Sequence, residues 1–395
     1  MAEQKQGAGK PRGRAGAAAK AAAVKAAEDA KKTQGQLLSE KLSFELKSCW
    51  ETADERTRGE VTRFAESYKT MLDGGKTERE FSARCREILE KNGYQDIEQM
   101  FDSNTKLTPG TKVYQNIHGK SLIFAIIGKN PVAEGVNIVG AHVDSPRIDL
   151  KTNPLYEDTG FAMLDTQYYG GIKKYQWVTI PLALHGVIIK TSGERVEVCI
   201  GEAASDPVFT ITDLLPHLAR IQMEKKASEV IPGEGLNVLA GTIPYPDDKV
   251  KEKVKLNLLK LLNDAYGIVE EDFASAELEI VPASKARDVG FDRSMIGAYG
   301  HDDRSCAYAA VRALTDIGNT EAKGGGKGLY GAGIPKRTCV CVLTDKEETG
   351  SAGNTGAESK LFENFIAYLC DLTTDHYTDI ALRRCLSRSY MLSAD

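Results

Sequence analysis

Val136-Asn137-Ile138-Val139-Gly140-Ala141-His142-Val143-Asp144-Ser145-Pro146 is a short apolar run that ends in two ionisable side chains. Bounded by Gly135 and Pro146, it reads as a buried strand. Ligand groups in open α/β sheets sit at the carboxyl ends of strands, so the position favours a functional His142 over a core histidine. Residues two apart share a face of an extended chain, which lets His142 and Asp144 act together. A second strand candidate, Arg337 to Leu343, runs into Asp345-Lys346-Glu347-Glu348-Thr349-Gly350-Ser351. A third cluster, Asp302 and Asp303, precedes a helical stretch from Ser305 to Ile317.

Each cluster alone admits a plain reading. One aspartate of the Asp302-Asp303 pair suits a helix cap, and Glu347 and Glu348 suit a solvated turn. Together, the three clusters point to a metal-dependent hydrolase. A carboxylate can bridge two cations, and two ions about 3.5 to 4 Å apart can hold water and polarise a carbonyl. Consecutive residues beyond a strand point in different directions, so one glutamate can ligate while the other accepts a proton.

The 395 residues are enough for two domains. A hydrophobic content of 42% and a charged content of 27% are ordinary for a globular protein. The formal net charge of -5 is unevenly spread, because residues 1–35 carry eight Lys or Arg against three acids. This basic segment, rich in Ala and Gly, reads as a disordered tail. The acidic remainder argues against a nucleic-acid surface. No apolar stretch approaches the roughly 18 residues of a membrane helix. The eight scattered cysteines form no zinc-finger spacing; free thiols in a reducing compartment point to the cytoplasm.

Residues 36–100 read mainly as helices, and Lys112 to Gly128 as strands. Residues 150–286 differ: short pieces such as Trp177 to Ile180, Val187 to Ile189 and Val196 to Ile200 predict a separate β-rich segment, with a helix at Lys253 to Tyr266 and a strand at Ala276 to Val281. The first pattern resumes after Gly290, with a surface loop at Gly324 to Gly333 and helices at Leu361 to Leu372 and Ala381 to Leu392. The expected fold class is α/β, a central mixed sheet flanked by helices and interrupted by a β-rich insertion. The expected divisions are residues 1–35, 36–149, 150–286 and 287–395.

Four ordered motifs carry a resemblance: Gly140 to Pro146, Asp302-Asp303-Arg304, Asp345 to Ser351, and the terminal Ser393-Ala394-Asp395. From about residue 36 onward the chain resembles the M18 metallopeptidases, the aspartyl aminopeptidase family. The resemblance implies a metallopeptidase catalytic domain interrupted by a dimerisation domain, and homodimers that build a dodecamer. It implies peptide substrates, with acidic first residues among them, and two divalent ions, zinc with Mn2+ or Co2+ as alternatives. His142, Asp302, Glu348 and Asp395 are the implied metal ligands, Glu347 the general base, and Asp144 the acid that orients a ligand. His217, in Leu214-Leu215-Pro216-His217, resembles a histidine that reaches a neighbouring subunit's active site. The resemblance also implies a further histidine ligand beyond Ser-Ala-Asp, so a truncated second catalytic segment is expected. Another dinuclear amidohydrolase or deacylase, and a non-catalytic assembly protein, are the rival readings.

Overall fold

The computed structural model describes residues 32–317 and 333–395. Most of the basic tail and nearly all of the Gly324 to Gly333 loop lie outside the described residues. The chain divides into two units, one ending at Arg63 and one running from Phe64 to Asp395. In the first unit, α1 (Gln34–Leu42) starts at a capping box, in which Thr33 Oγ1 accepts the Gln36 N–H and the Gln36 side chain accepts the Thr33 N–H. The short α2 (Cys49–Thr52) and the start of α3 (Glu55–Gly74) follow.

The second unit contains two six-stranded sheets. α4 (Glu78–Lys91) begins at another capping box, Thr77 with Glu80. Next come β1 (Gln95–Asp96), α5 (Ile97–Asp102), and the antiparallel pair β2 (Lys112–Ile117) and β3 (Ser121–Ile126). β4 (Asn137–His142) ends on the histidine singled out above. β5 (Arg147–Asp158), β6 (Phe161–Tyr169), β7 (Leu182–Ile189), β8 (Arg195–Ile200), α6 (Arg220–Met223), β9 (Val238–Gly241), α7 (Lys253–Tyr266) and β10 (Glu277–Pro282) come next. The hairpin β11 (Arg287–Val289) and β12 (Met295–Gly297) leads to α8 (His301–Ile317), and then β13 (Cys339–Thr344), α9 (Leu361–Leu372), α10 (Asp379–Ser387) and β14 (Tyr390–Ser393) complete the chain.

The first sheet has the order β1-β2-β3-β13-β4-β14 and is mixed. Its central strands β3 and β13 bury both faces, as their near-continuous apolar sequences require. Leu122, Phe124, Cys341 and Leu343 pack with Phe81 and Leu89 of α4 and Ala307 and Val311 of α8. The alternate residues Ile123, Ala125, Val340 and Val342 pack with Phe365, Ile366 and Leu369 of α9. The second sheet, β8-β7-β10-β5-β6-β9, is wholly antiparallel and takes every strand from between β4 and β11. Its apolar face packs with Val254, Leu258 and Leu262 of α7.

Two local expectations are corrected. Trp177 to Ile180 is a turn after a short 3-10 segment, with Thr179 at φ 63°, although Trp177 and Val178 are buried. Burial, not strand pairing, explains its apolar residues. The helix expected from Ala381 to Leu392 stops at Ser387, and Tyr390 to Ser393 pairs in parallel with β4. The backbone groups there are satisfied by the neighbouring strand, including Tyr390 N–H to the Val136 carbonyl at 3.0 Å.

Candidate metal centre

Three neighbouring strands, β13, β4 and β14, run parallel and end at one edge of the first sheet. Thr344 pairs with His142, and Ser393 with Gly140, so the register brings Glu347, His142 and Asp395 to the same edge. α8 delivers Asp302 from its first turn, where Asp302 and Asp303 have non-helical angles. Segments more than 250 residues apart in sequence thus converge because parallel strands share their carboxyl-terminal edge.

His142 is buried, and its two ring nitrogens have different surroundings. Nδ1 lies 3.0 Å from the Asp144 carbonyl oxygen and 3.3 Å from Asp144 Oδ1. Nε2 lies 3.2 Å from Asp302 Oδ1, 3.6 Å from Asp395 Oδ1 and 3.7 Å from Glu347 Oε2. None of these approaches is a hydrogen bond, so Nε2 is a buried nitrogen without a partner. A buried, unpaired imidazole nitrogen facing several carboxylate oxygens has the donor chemistry of a cation site. Two overlapping groups meet that geometry, His142 with Glu347 and Asp395, and His142 with Asp302 and Glu348. The residues present therefore fit a metal.

The electrostatics agree. Burial alone would lower the His142 pKa, but its bond to Asp144 and the charges of Asp144, Asp303 and Glu347 hold it up at about 9. Burial and the Asp302 charge raise Glu348 to about 7. A cation shared by these groups reverses both effects by stabilising the neutral imidazole lone pair and the ionised carboxylate.

Asp144 is fully buried. Its Oδ1 accepts the Glu347 N–H and its Oδ2 the Glu348 N–H, both at 3.2 Å, while the Tyr169 hydroxyl donates to Oδ2 at 2.7 Å. Burial would raise its pKa, but the bonds from His142 and Tyr169 outweigh that and keep it low. Asp144 thus orients both the imidazole ring and the backbone of the two glutamates. Arg304 fixes the chain between His142 and Asp144, its Nε donating to the Val143 carbonyl at 3.1 Å.

Tyr169 escaped the sequence reading, as did Gly170. Tyr169 ends β6 opposite Arg147 of β5, with the Arg147 guanidinium 3.9 Å from the ring centroid. Burial and the Asp144 charge raise the Tyr169 pKa and keep it a donor. Gly170 has φ 70°, and a Cβ there would sit 3.0 Å from Glu348 Oε2. No local pattern marks either residue, because both act through the pairing of β5 with β6. Tyr169 at the end of β6 and Gly170 in the bend after it thus reach the His142 cluster from the second sheet.

His217 is placed elsewhere. It lies on an exposed stretch before α6 and makes no hydrogen bond or ion pair among the described residues, so the structure does not bring it to the His142 cluster. Leu214, Leu215, Leu218, Ile221 and Met223 around it are also exposed. A cavity of about 350 Å³ opens beside His142 and Glu347, with Ser351, Leu361, Phe362 and Met391 in its wall.

Fold and site together give an α/β protein with an imidazole and carboxylate donor set at the carboxyl ends of parallel strands. The aminopeptidase I zinc metalloprotease (M18) family matches residues 71–395, and the chain belongs to that family of metal-dependent aminopeptidases. The chain is 51% identical over 351 residues to a probable M18 family aminopeptidase 1 of Clostridium acetobutylicum, covering 89% of this chain and 72% of the relative. It is also similar to the crystal structure of aminopeptidase I from that organism, with 48% identity and a TM-score of 0.76 over 89% of this chain and 73% of the other. The M18 aminopeptidase structure from Thermotoga maritima gives 39% identity and a TM-score of 0.79 over 89% and 72%. No described helix is long and apolar enough to cross a membrane.

Proposed function

We propose that the His142 cluster is a two-ion centre that removes N-terminal residues from peptides, with His142, Asp302, Glu348 and Asp395 holding the ions and Glu347 as general base. The observation that carries this reading is the unpartnered, buried Nε2 of His142 facing Asp302, Asp395 and Glu347. Zinc is the family's metal, and Mn2+ or Co2+ suits the same mixed donors. When bound, such ions supply Lewis-acid polarisation of the scissile carbonyl and a water nucleophile at neutral pH.

The chain's own residues supply the rest. Glu347 is partly exposed at the edge of the cluster and is positioned by its N–H bond to Asp144. It takes a proton from water and returns it to the leaving amine. Asp144 holds the His142 ring with Nε2 directed into the cluster, and Tyr169 holds Asp144. The cavity wall of Leu361, Phe362 and Met391 includes no Lys or Arg, which favours an apolar first side chain over the acidic one implied by the aspartyl members of the family.

Segment 150–286 acts, in this reading, as the dimerisation domain inserted between catalytic segments 36–149 and 287–395. The exposed apolar residues from Leu214 to Met223 support a homo-oligomeric contact, with His217 offered to a neighbouring copy. A dodecamer built from dimers and a cytoplasmic location complete the proposal. The test is hydrolysis of a panel of free-amino dipeptides with apolar and acidic first residues, beside N-acyl amino acids, with and without zinc. Zinc-dependent cleavage of free-amino peptides is expected; cleavage of N-acyl compounds alone would sink the reading.

A further inference from the structure

A second group of side chains converges away from His142. His185 on β7 and Cys199 on β8 are directly paired in the antiparallel register, which fixes their Cβ atoms about 4.5–5.5 Å apart. Glu80 approaches from the first turn of α4. Its Oε2 accepts the Lys76 and Thr77 N–H groups, while Oε1 meets His185 Nδ1 at 2.8 Å. Ligand atoms of Glu80, His185 and Cys199 all lie within 4.8 Å of one another. A tetrahedral zinc ion with ligands at about 2.0–2.3 Å holds donor atoms roughly 3.3–3.8 Å apart, so entry of an ion opens the 2.8 Å contact of Glu80 with His185 by about half an ångström and draws any wider spacing of the set inward.

The surroundings also suit a ligated imidazole. His185 Nε2 lies 3.2 Å from Glu202 Oε1, and Glu202 is held by Lys76 at 2.6 Å and by Lys285. A ligating histidine typically donates its other N–H to a carboxylate in this way, which fixes the ring. Cys199 is exposed and gives access from solvent.

We propose that Glu80, His185 and Cys199 form a second metal site, for a thiophilic divalent ion such as zinc, which clamps α4 to strands β7 and β8. Binding releases two protons, one from the imidazolium Nδ1 and one from the Cys199 thiol. One dication replaces them, so the local net charge is unchanged and the Lys76 and Lys285 pairs with Glu202 persist. A thiolate in the set selects softer ions than the carboxylate cluster at His142.

The experiment adds cobalt(II) alone to the metal-stripped 395-residue chain and records its absorption. A near-ultraviolet thiolate-to-cobalt charge-transfer band is expected, because only a sulfur ligand produces one. Cys199→Ser should remove it and leave zinc-dependent peptide hydrolysis unchanged. Cys306→Ser should retain it, although Cys306 lies near Asp303 beside the other cluster. Glu80→Gln keeps an acceptor oxygen for the helix cap and should weaken cobalt binding by at least about 10-fold. Absence of the band in the unaltered chain, its survival in Cys199→Ser, or unchanged affinity in Glu80→Gln would overturn the site. Failure of peptide hydrolysis would instead count against the His142 reading and leave the band untouched.

Discussion

His142 and His185 are both buried histidines flanked by carboxylates, yet their settings differ. His142 keeps one nitrogen without a hydrogen-bond partner, and the carboxylates before it, Asp302 and Asp395, are largely exposed at a sheet edge. Both nitrogens of His185 meet glutamates, and one of these is neutralised by two lysines. Carboxylates near an imidazole therefore do not by themselves define a reactive centre. What sets the proposed centre at His142 apart is its unpaired nitrogen and its open side.

The largest test of that difference is metal removal. Chelation should abolish peptide hydrolysis, and zinc should restore it, while the circular dichroism of the chain stays unchanged. Loss of the fold on chelation would show that the His142 cluster is structural. Glu347→Gln comes next: kcat should fall about 10²–10⁴-fold, the usual contribution of a positioned base, with zinc content measured by atomic absorption unaltered.

At the other histidine the expected loss is in stability. Burial alone would lower the His185 pKa, but its bonds to Cys199, Glu202 and Glu80 raise it to about 11 from an ordinary value of 6.5. A raised folded-state pKa contributes stability that is full below pH 6.5 and is lost as pH rises through about 11. In metal-free protein, His185→Gln should therefore cost about 3–5 kcal/mol in acid, the scale for breaking a buried pair. Urea titrations should show the gap between variant and parent closing as the solution becomes alkaline. A gap that widens with pH would mean that His185 is buried neutral.

The smallest expected effect belongs to the residue that links the second sheet to the His142 cluster. Tyr169→Phe removes the hydroxyl that donates to Asp144 and should weaken zinc binding about 10–100-fold, as loss of a ligand-orienting partner does. Competition with a chromophoric chelator measures it. Unchanged affinity would reduce Tyr169 to packing against Arg147.

The legibility of these regions was unequal for physical reasons. His142 was readable because the apolar run from Val136 to Val139 leads straight to it, and Leu361 to Leu372 was readable because its helical period is long and uninterrupted. Tyr390 to Leu392 reads as the end of a helix, since so short a stretch carries too little pattern to show that Tyr390 to Ser393 pair with β4. Trp177 and Val178 have strand-like composition but fill the core from a turn. Tyr169, Gly170 and the His185 cluster had no local signal, because each depends on which strand lies beside which.

The sequence by itself determined the α/β class and the acidic and imidazole groups available for metal chemistry, since apolar period and residue type are local properties. The tertiary structure alone decided that β13, β4 and β14 share one carboxyl-terminal edge, and that the buried Asp144 accepts from the Glu347 and Glu348 N–H groups and the Tyr169 hydroxyl. It also separated the unpaired nitrogen of His142 from the doubly bonded ring of His185. Those distinctions rest on strand register and burial, which bring together residues hundreds of positions apart and set the partner that each nitrogen meets.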